Sequence, residues 1–247
     1  MQKQVIHRII WISRSNRICD ARLVACFRIV FCREYIIKGR ISNTMALNTL
    51  RPFASKVIEP LADLFIRYEA SPDAVSIASL ICAFFAGISF YYSSASKEFI
   101  LLAGIMVIFN SIFDALDGVI ARKSNRETLR GDFLDHVIDR YSDVFIICSI
   151  FFAGYVNWKI GVAAIVGVLL TSYLGIQAQA LNFGRYYGGL MGRADRLVVV
   201  MFAAFANFIY LDSIAGFSIL GWAVVLIAIT SHITAVQRIL YIWNRLK

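Results

Sequence analysis

Asp114 and Asp117 stand three residues apart, and Asp135 and Asp139 four apart, in the apolar middle of this chain. Each spacing puts both carboxylates on one face of a helix. Together with Asp132 and Asp143, they place six of the sixteen acidic residues on two successive apolar runs. A carboxylate near the centre of a membrane helix costs about 2.5–3.5 kcal/mol to insert, so a functional role is the default. The short connection 122–130 should make the two helices antiparallel neighbours whose acidic faces converge. Four converging carboxylates repel unless a cation neutralises them. Hard oxygen donors beside a basic loop suit Mg2+, Mn2+ or Ca2+, and two such ions can clamp a displacement at phosphorus. The competing reading is a salt-bridged helix pair with Arg122, Arg126 or Arg140 as counter-ions.

The spacing extends beyond the acids. Asp114-x2-Asp117-Gly118-x2-Ala121-Arg122 is followed by eight residues and then Gly131-x3-Asp135-x3-Asp139. Gly118 and Gly131 remove side chains where a flat nucleotide must approach the backbone. Ala121 keeps that wall low, and Arg122 can fork onto phosphate oxygens. His136 lies off the shared face and reads as packing. Asp132 suits a helix N-terminus, and Asp143 has Arg140 as its i,i+3 partner. A second polar stretch, 184–196, sets Arg193 and Arg196 on one face at the start of a later apolar run. Cations there oppose the helix dipole. A phosphate held by both arginines and the helix amides removes the conflict; positive-inside anchoring is the plainer alternative.

The elements carrying these residues are apolar helices. Of 247 residues, 59% are hydrophobic and 17% charged, against about 45–50% and about 25% in soluble domains. Runs at 74–92, 99–121, 131–155, 160–181, 194–211 and 213–243 each approach the length needed to cross a bilayer core of about 30 Å. The expected fold is an all-α integral membrane protein, with six transmembrane helices over 71–247. An amphipathic juxtamembrane helix over 45–70 precedes them on the cytoplasmic face. Pro60 should kink or split that helix, and Ser71-Pro72-Asp73 should cap the first span.

The net charge of +9 would raise nucleic acid as a partner in a soluble protein. Here the basic residues flank apolar runs, which excludes that reading and writes topology instead. Twelve Lys/Arg precede the first span and four lie in the second connection (Arg122, Lys123, Arg126, Arg130), whereas the first and third carry Lys97 and Lys159. Both termini and the acidic helix ends should therefore face the cytoplasm across a plasma membrane. Residues 1–44, with nine Lys/Arg against Asp20 and Glu34, form a basic arm; either its stretch Arg22–Arg40 lies on an anionic membrane surface as an amphipathic segment, or the arm precedes a true start at Met45. Five cysteines show neither metal spacing nor a disulfide framework.

The eight fixed positions from Asp114 to Asp139 resemble the signature of the CDP-alcohol phosphotransferases. At ordinary residue frequencies the pattern recurs in roughly one window per billion. The resemblance covers residues 45–247. It implies that Asp114, Asp117, Asp135 and Asp139 ligate two divalent ions, Mg2+ or Mn2+, and that Asp139 is also the general base. Gly118, Ala121, Arg122 and Gly131 would then hold a CDP-lipid, an acceptor hydroxyl would attack the lipid-bearing phosphorus, and CMP would leave. The stretch 184–196 resembles the inositol-phosphate branch, whose acceptor pocket has paired arginines here. The run 172–179 looks most like archaeal members acting on CDP-archaeol; CDP-diacylglycerol is the other candidate donor. Gln177 stands where bacterial members of the branch carry lysine, which leaves glycerol phosphate open as acceptor. The resemblance also implies a homodimer. An ion-coupled transporter would instead show interrupted helices in two related halves.

Overall fold

The computed structural model describes residues 51–184 and 186–246, with side chains from 58 onward. The basic arm 1–44 and residues 45–50 lie outside the described residues. The described residues form seven helices: α1 (Arg51–Arg67), α2 (Pro72–Tyr92), α3 (Glu98–Lys123), α4 (Leu129–Phe152), α5 (Trp158–Ala180), α6 (Arg193–Ile209) and α7 (Ile219–Arg245). No strand occurs among the described residues, apart from one isolated bridge between Ile214 and Phe217.

Their ends follow local chemistry. The Ser71 hydroxyl accepts from the Ala74 N–H at 3.2 Å, and Pro72 occupies the first turn of α2 as expected. Thr128 caps α4 by accepting from Gly131 N–H at 3.0 Å. Asn157 and Ser218 cap α5 and α7 through Lys159 and Gly221. At α6 the Gly192 N–H donates to Asp195 Oδ2 at 2.8 Å. Pro60 does not split α1, which runs unbroken; a proline forfeits one helical hydrogen bond, and packing of Ala62, Leu61 and Phe65 against α3 residues supports the helix across that loss. The last run begins later than its hydropathy suggests, at Ile219 rather than 213. Ala215 and Gly216 both take positive φ between the bridged Ile214 and Phe217, as a two-residue turn requires. That turn ends the chain's outward course before α7 starts.

Four helices, α2, α3, α5 and α7, are long and apolar enough to cross a membrane. The chain is accordingly a multi-pass membrane protein. The same measure passes over α4, whose first fifteen residues include Asp132, Asp135, Asp139, Arg140 and Asp143, and α6, which has 17 residues and begins with Arg193, Asp195 and Arg196. Both nevertheless stand between the others. Helix α2 packs on α3 and α4, α3 on α6, α6 on α7, α7 on α5, and α5 on α4, so the six close into a ring. Helix α1 lies against α3, tied by an ion pair of 2.6 Å between Lys123 and Asp63.

Small residues set which helices meet. A Cβ at Gly87 would come within 2.9 Å of the Phe145 carbonyl, so glycine lets α2 approach α4. Gly167, Thr171 and Gly175 recur every four residues on the α5 face towards α7, the spacing by which membrane helices draw close. Thr171 also donates to the Ser231 carbonyl at 3.0 Å. Between α2 and α3, Asn110 donates to the Ser79 carbonyl at 3.0 Å in a fully buried position. The acidic faces of α3 and α4 converge, since one Arg193 nitrogen reaches both Asp114 and Asp139, without the two helices packing side by side. Helices α3 and α4 share little direct contact, because α2 bridges them on one side. Carboxylates on both faces repel, and a cavity opens between their ends.

Candidate active site

The cavity measures about 520 Å3 and is lined from three directions. Helix α2 contributes Pro72, Asp73 and Ser76 from its first turns. The end of α3 contributes Asp117, Gly118, Ala121 and Arg122, and the following connection and α4 contribute Thr128, Gly131 and Asp135. Six of the eight signature residues thus share one wall, although they span two helices without a common interface. Arg122 lies back over Gly118, where a Cβ would stand 3.3 Å from its Nη1. A Cβ at Gly131 would meet Thr128 Oγ1 at 3.2 Å and Asp73 Oδ1 at 3.5 Å. Both glycines keep the wall open, and Gly118 also gives the guanidinium its bed.

Asp117 accepts a hydrogen bond from the Ser76 hydroxyl, which fixes the carboxylate from α2. Spacing on α3 and α4 alone gives no sign of Ser76. The available signal is a serine within a turn of the Ser-Pro cap, on a helix that must pack against both acidic ones.

The remaining acids lie one turn deeper. Asp114 and Asp139 are bridged by Arg193, whose Nη1 stands 2.6 Å from Asp114 Oδ2 and 2.8 Å from Asp139 Oδ1. Arg140 holds the other Asp139 oxygen at 2.8 Å. Asp135, His136 and Asp139 place one ligand atom each within 4.8 Å of one another. His136 Nε2 is 3.9 Å from Asp132. Asp114 Oδ1 is buried without a hydrogen-bond partner, an orphaned hard acceptor of the kind a divalent ion satisfies. The donor set of carboxylate oxygens therefore fits such an ion.

Asp143 pairs with Arg196 across the ring, at 2.8 Å, and not with the nearby Arg140. Its side chain is 2% exposed and that of Arg196 3%, so burial against α6 decides the partner over closeness in sequence. Arg193 and Arg196 thus both reach the acids, Arg193 to Asp114 and Asp139 and Arg196 to Asp143.

The structure adds Arg238 of α7, 6% exposed. It donates to the Gly188 carbonyl at 3.0 Å and the Thr171 carbonyl at 2.6 Å. Among the described residues no carboxylate pairs with it, and Arg196 is close enough to repel it. Glycine at 175 makes room, since a Cβ would lie 2.7 Å from Arg238 Nη1. A lone arginine inside the last apolar run was the signal that could have found it. The connection above is strapped to α7 by Leu190 N–H to Gln237 and Met191 N–H to Thr234. Tyr186 stacks on Tyr241 at 3.7 Å, and burial pushes its hydroxyl pKa up, Tyr241 adding to that rise while Arg238 and Arg245 oppose it.

The profile of the CDP-alcohol phosphatidyltransferase family matches residues 69–192. The chain belongs to that family. It is 32% identical over 212 residues to the archaetidylinositol phosphate synthase of Methanothermobacter thermautotrophicus, covering 83% of this chain and 98% of that one. Crystal structures of the phosphatidylinositol phosphate synthase of Mycobacterium tuberculosis share the fold at 25% identity. The form with CDP-DAG bound has a TM-score of 0.64 over 76% of this chain and 94% of its own. The form in complex with manganese and citrate has the same TM-score, over 76% and 89%. The chain is therefore a transferase of phospholipid synthesis.

Proposed function

We propose that the chain transfers the phosphate-linked lipid of a CDP-lipid to inositol phosphate, releasing CMP, at the cytoplasmic face of a membrane that it crosses six times. The ring supports the count: α4 and α6 each stand between helices that are long and apolar enough to span. Helix α1 then lies along the cytoplasmic interface. By family likeness the working unit is a homodimer.

The cavity takes the CDP end, with the nucleotide against Gly118, Ala121 and Gly131 and its phosphates on Arg122. Asp114, Asp117, Asp135 and Asp139 would hold divalent cations, which supply charge stabilisation at phosphorus when bound. Ser76 orients Asp117. The acceptor hydroxyl loses its proton to Asp139 as it attacks the lipid-bearing phosphorus, and the bond to the CMP oxygen breaks.

One observation carries the phosphorylated acceptor. Arg193 and Arg196 pair with the deep acids, Arg238 lies near Arg196, and among the described residues no carboxylate balances Arg238. A buried guanidinium served only by carbonyls suits an incoming anion. The relatives named for inositol phosphate lipids match nearly end to end, which favours inositol phosphate over glycerol phosphate.

Arg196→Gln would orphan Asp143, so Arg238→Gln is the cleaner test. A charge-assisted contact to phosphate contributes about 1.5–3 kcal/mol, so the KM for inositol phosphate should rise about tenfold or more. The KM for the CDP-lipid should stay within about twofold, because Arg238 lies away from the CDP cavity. CMP release would be measured with inositol phosphate, glycerol phosphate and free inositol side by side. Preference for glycerol phosphate by the wild type would replace the acceptor and leave the reaction class standing.

Orientation is tested separately, in a background lacking the five native cysteines. Asn125→Cys should react with an impermeant maleimide only from the cytoplasmic side, and Ser94→Cys only from outside. The reverse pattern would turn the whole site to the wrong face.

A further inference from the structure

Arg193 has a contact that phosphate binding does not explain. From the first residue of α6 it joins Asp114 of α3 to Asp139 of α4 through one nitrogen, at 2.6 and 2.8 Å. Those two helices share little contact of their own, so the guanidinium is what links their deep acids. The attachment is not a fork-on-fork pairing. Among the described residues, Nε and Nη2 are buried without hydrogen-bond partners, and so are Asp114 Oδ1 and Asp139 Oδ1, the latter meeting Arg193 as an ion pair alone. A guanidinium has five N–H donors in a rigid plane, and here most are unused. It serves as a charge placed between two carboxylates that would otherwise repel.

We propose that Arg193 is an internal cation that holds Asp114 and Asp139 until a divalent ion takes them, so that ion loading and Arg193 pairing exclude each other. This rests on the reading of the four signature aspartates as ion ligands. The carboxylate oxygens engaged by Arg193 belong to that same ligand set. A dication beside the guanidinium repels it, and hard carboxylate oxygens favour the dication. Release leaves Arg193 with all its donors free beside Arg196 and Arg238, where an anion is needed, and frees Asp139 Oδ1. Ion loading and acceptor binding are then linked, each favouring the other. Arg196 does not take part in the exchange: its partner Asp143 lies outside the signature, and both are almost fully buried.

The test is Mn2+ binding to the full chain in detergent, read from the spin resonance of free Mn2+. Removing an internal competitor should tighten binding, so R193Q should bind Mn2+ about tenfold more tightly than the wild type. R193K, which keeps the charge and loses the planar fork, should fall between them. An arginine that merely organises the ligands predicts the opposite sign. Unchanged or weaker binding by R193Q overturns the exclusion while leaving the ion site standing, whereas no Mn2+ binding by the wild type overturns both. A measurement on the wild type needs no substitution. Mn2+ should raise labelling of Arg193 by phenylglyoxal, read by peptide mass spectrometry, with Arg196 unchanged. Equal or reduced labelling of Arg193 refutes the release.

Discussion

Asp117→Asn should lower CMP release by about a thousandfold or more, while the protein still inserts and assembles. In the proposed mechanism the carboxylate lost is one of four that would hold ions beside the reacting phosphorus, and ion stabilisation of that centre amounts to several kcal/mol, each 1.36 kcal/mol being about tenfold in rate. The fold should tolerate the change. Asparagine keeps an oxygen for the Ser76 hydroxyl, so the link from α2 to α3 survives, and Asn110 with Ser79 holds the same two helices further in. Turnover would be followed as CMP release across a Mn2+ titration, with assembly checked by gel filtration. Near-normal turnover with unaltered dependence on Mn2+ would remove Asp117 from the site.

The largest effect on stability should come from Asp143→Asn. Arg196 is left with its charge buried and its partner neutral, and breaking a buried pair from one side costs about 3–5 kcal/mol. The double substitution Asp143→Asn with Arg196→Gln removes both charges and should recover a good part of that loss, because no buried charge remains unpaired. A double-mutant cycle on thermal unfolding measures the coupling. If the double variant is as unstable as the sum of the singles, the pair is not what holds α4 against α6.

The pair also marks where sequence reasoning stops. Asp143 has Arg140 three residues away on its own helix, and local spacing selects it. Arg196 wins because α4 and α6 bury both groups from opposite sides, which requires knowing that the ring folds back. The signature was readable for the converse reason: its eight residues lie in one hairpin, and their spacing carries most of the geometry. Even there the spacing does not show that α3 and α4 meet across a cavity and through Arg193, since a short connection brings helix ends together without obliging their sides to pack. Ser76 and Arg238 were hidden by the same distance. Each acts on residues 41 or more positions away in the chain. The delayed start of α7 was local and still missed, because hydropathy is blind to a turn made by Ala215 and Gly216.

The ring separates the labour of the site by stretch of chain. Residues 72–139 carry the cavity and all four signature acids, and the cradle around Arg238 is built from Thr171, Gly175, Gly188 and α7. Arg193 and the Asp143–Arg196 pair join the two stretches, and residues of the cradle outside those links can vary without touching the cavity. Under the proposed function, a lineage that drifts at Gln177, in the 182–192 connection or around Arg238 would change the headgroup it makes while the cutting of CDP stays intact. Headgroups should therefore diversify among descendants of this chain faster than the chemistry that installs them.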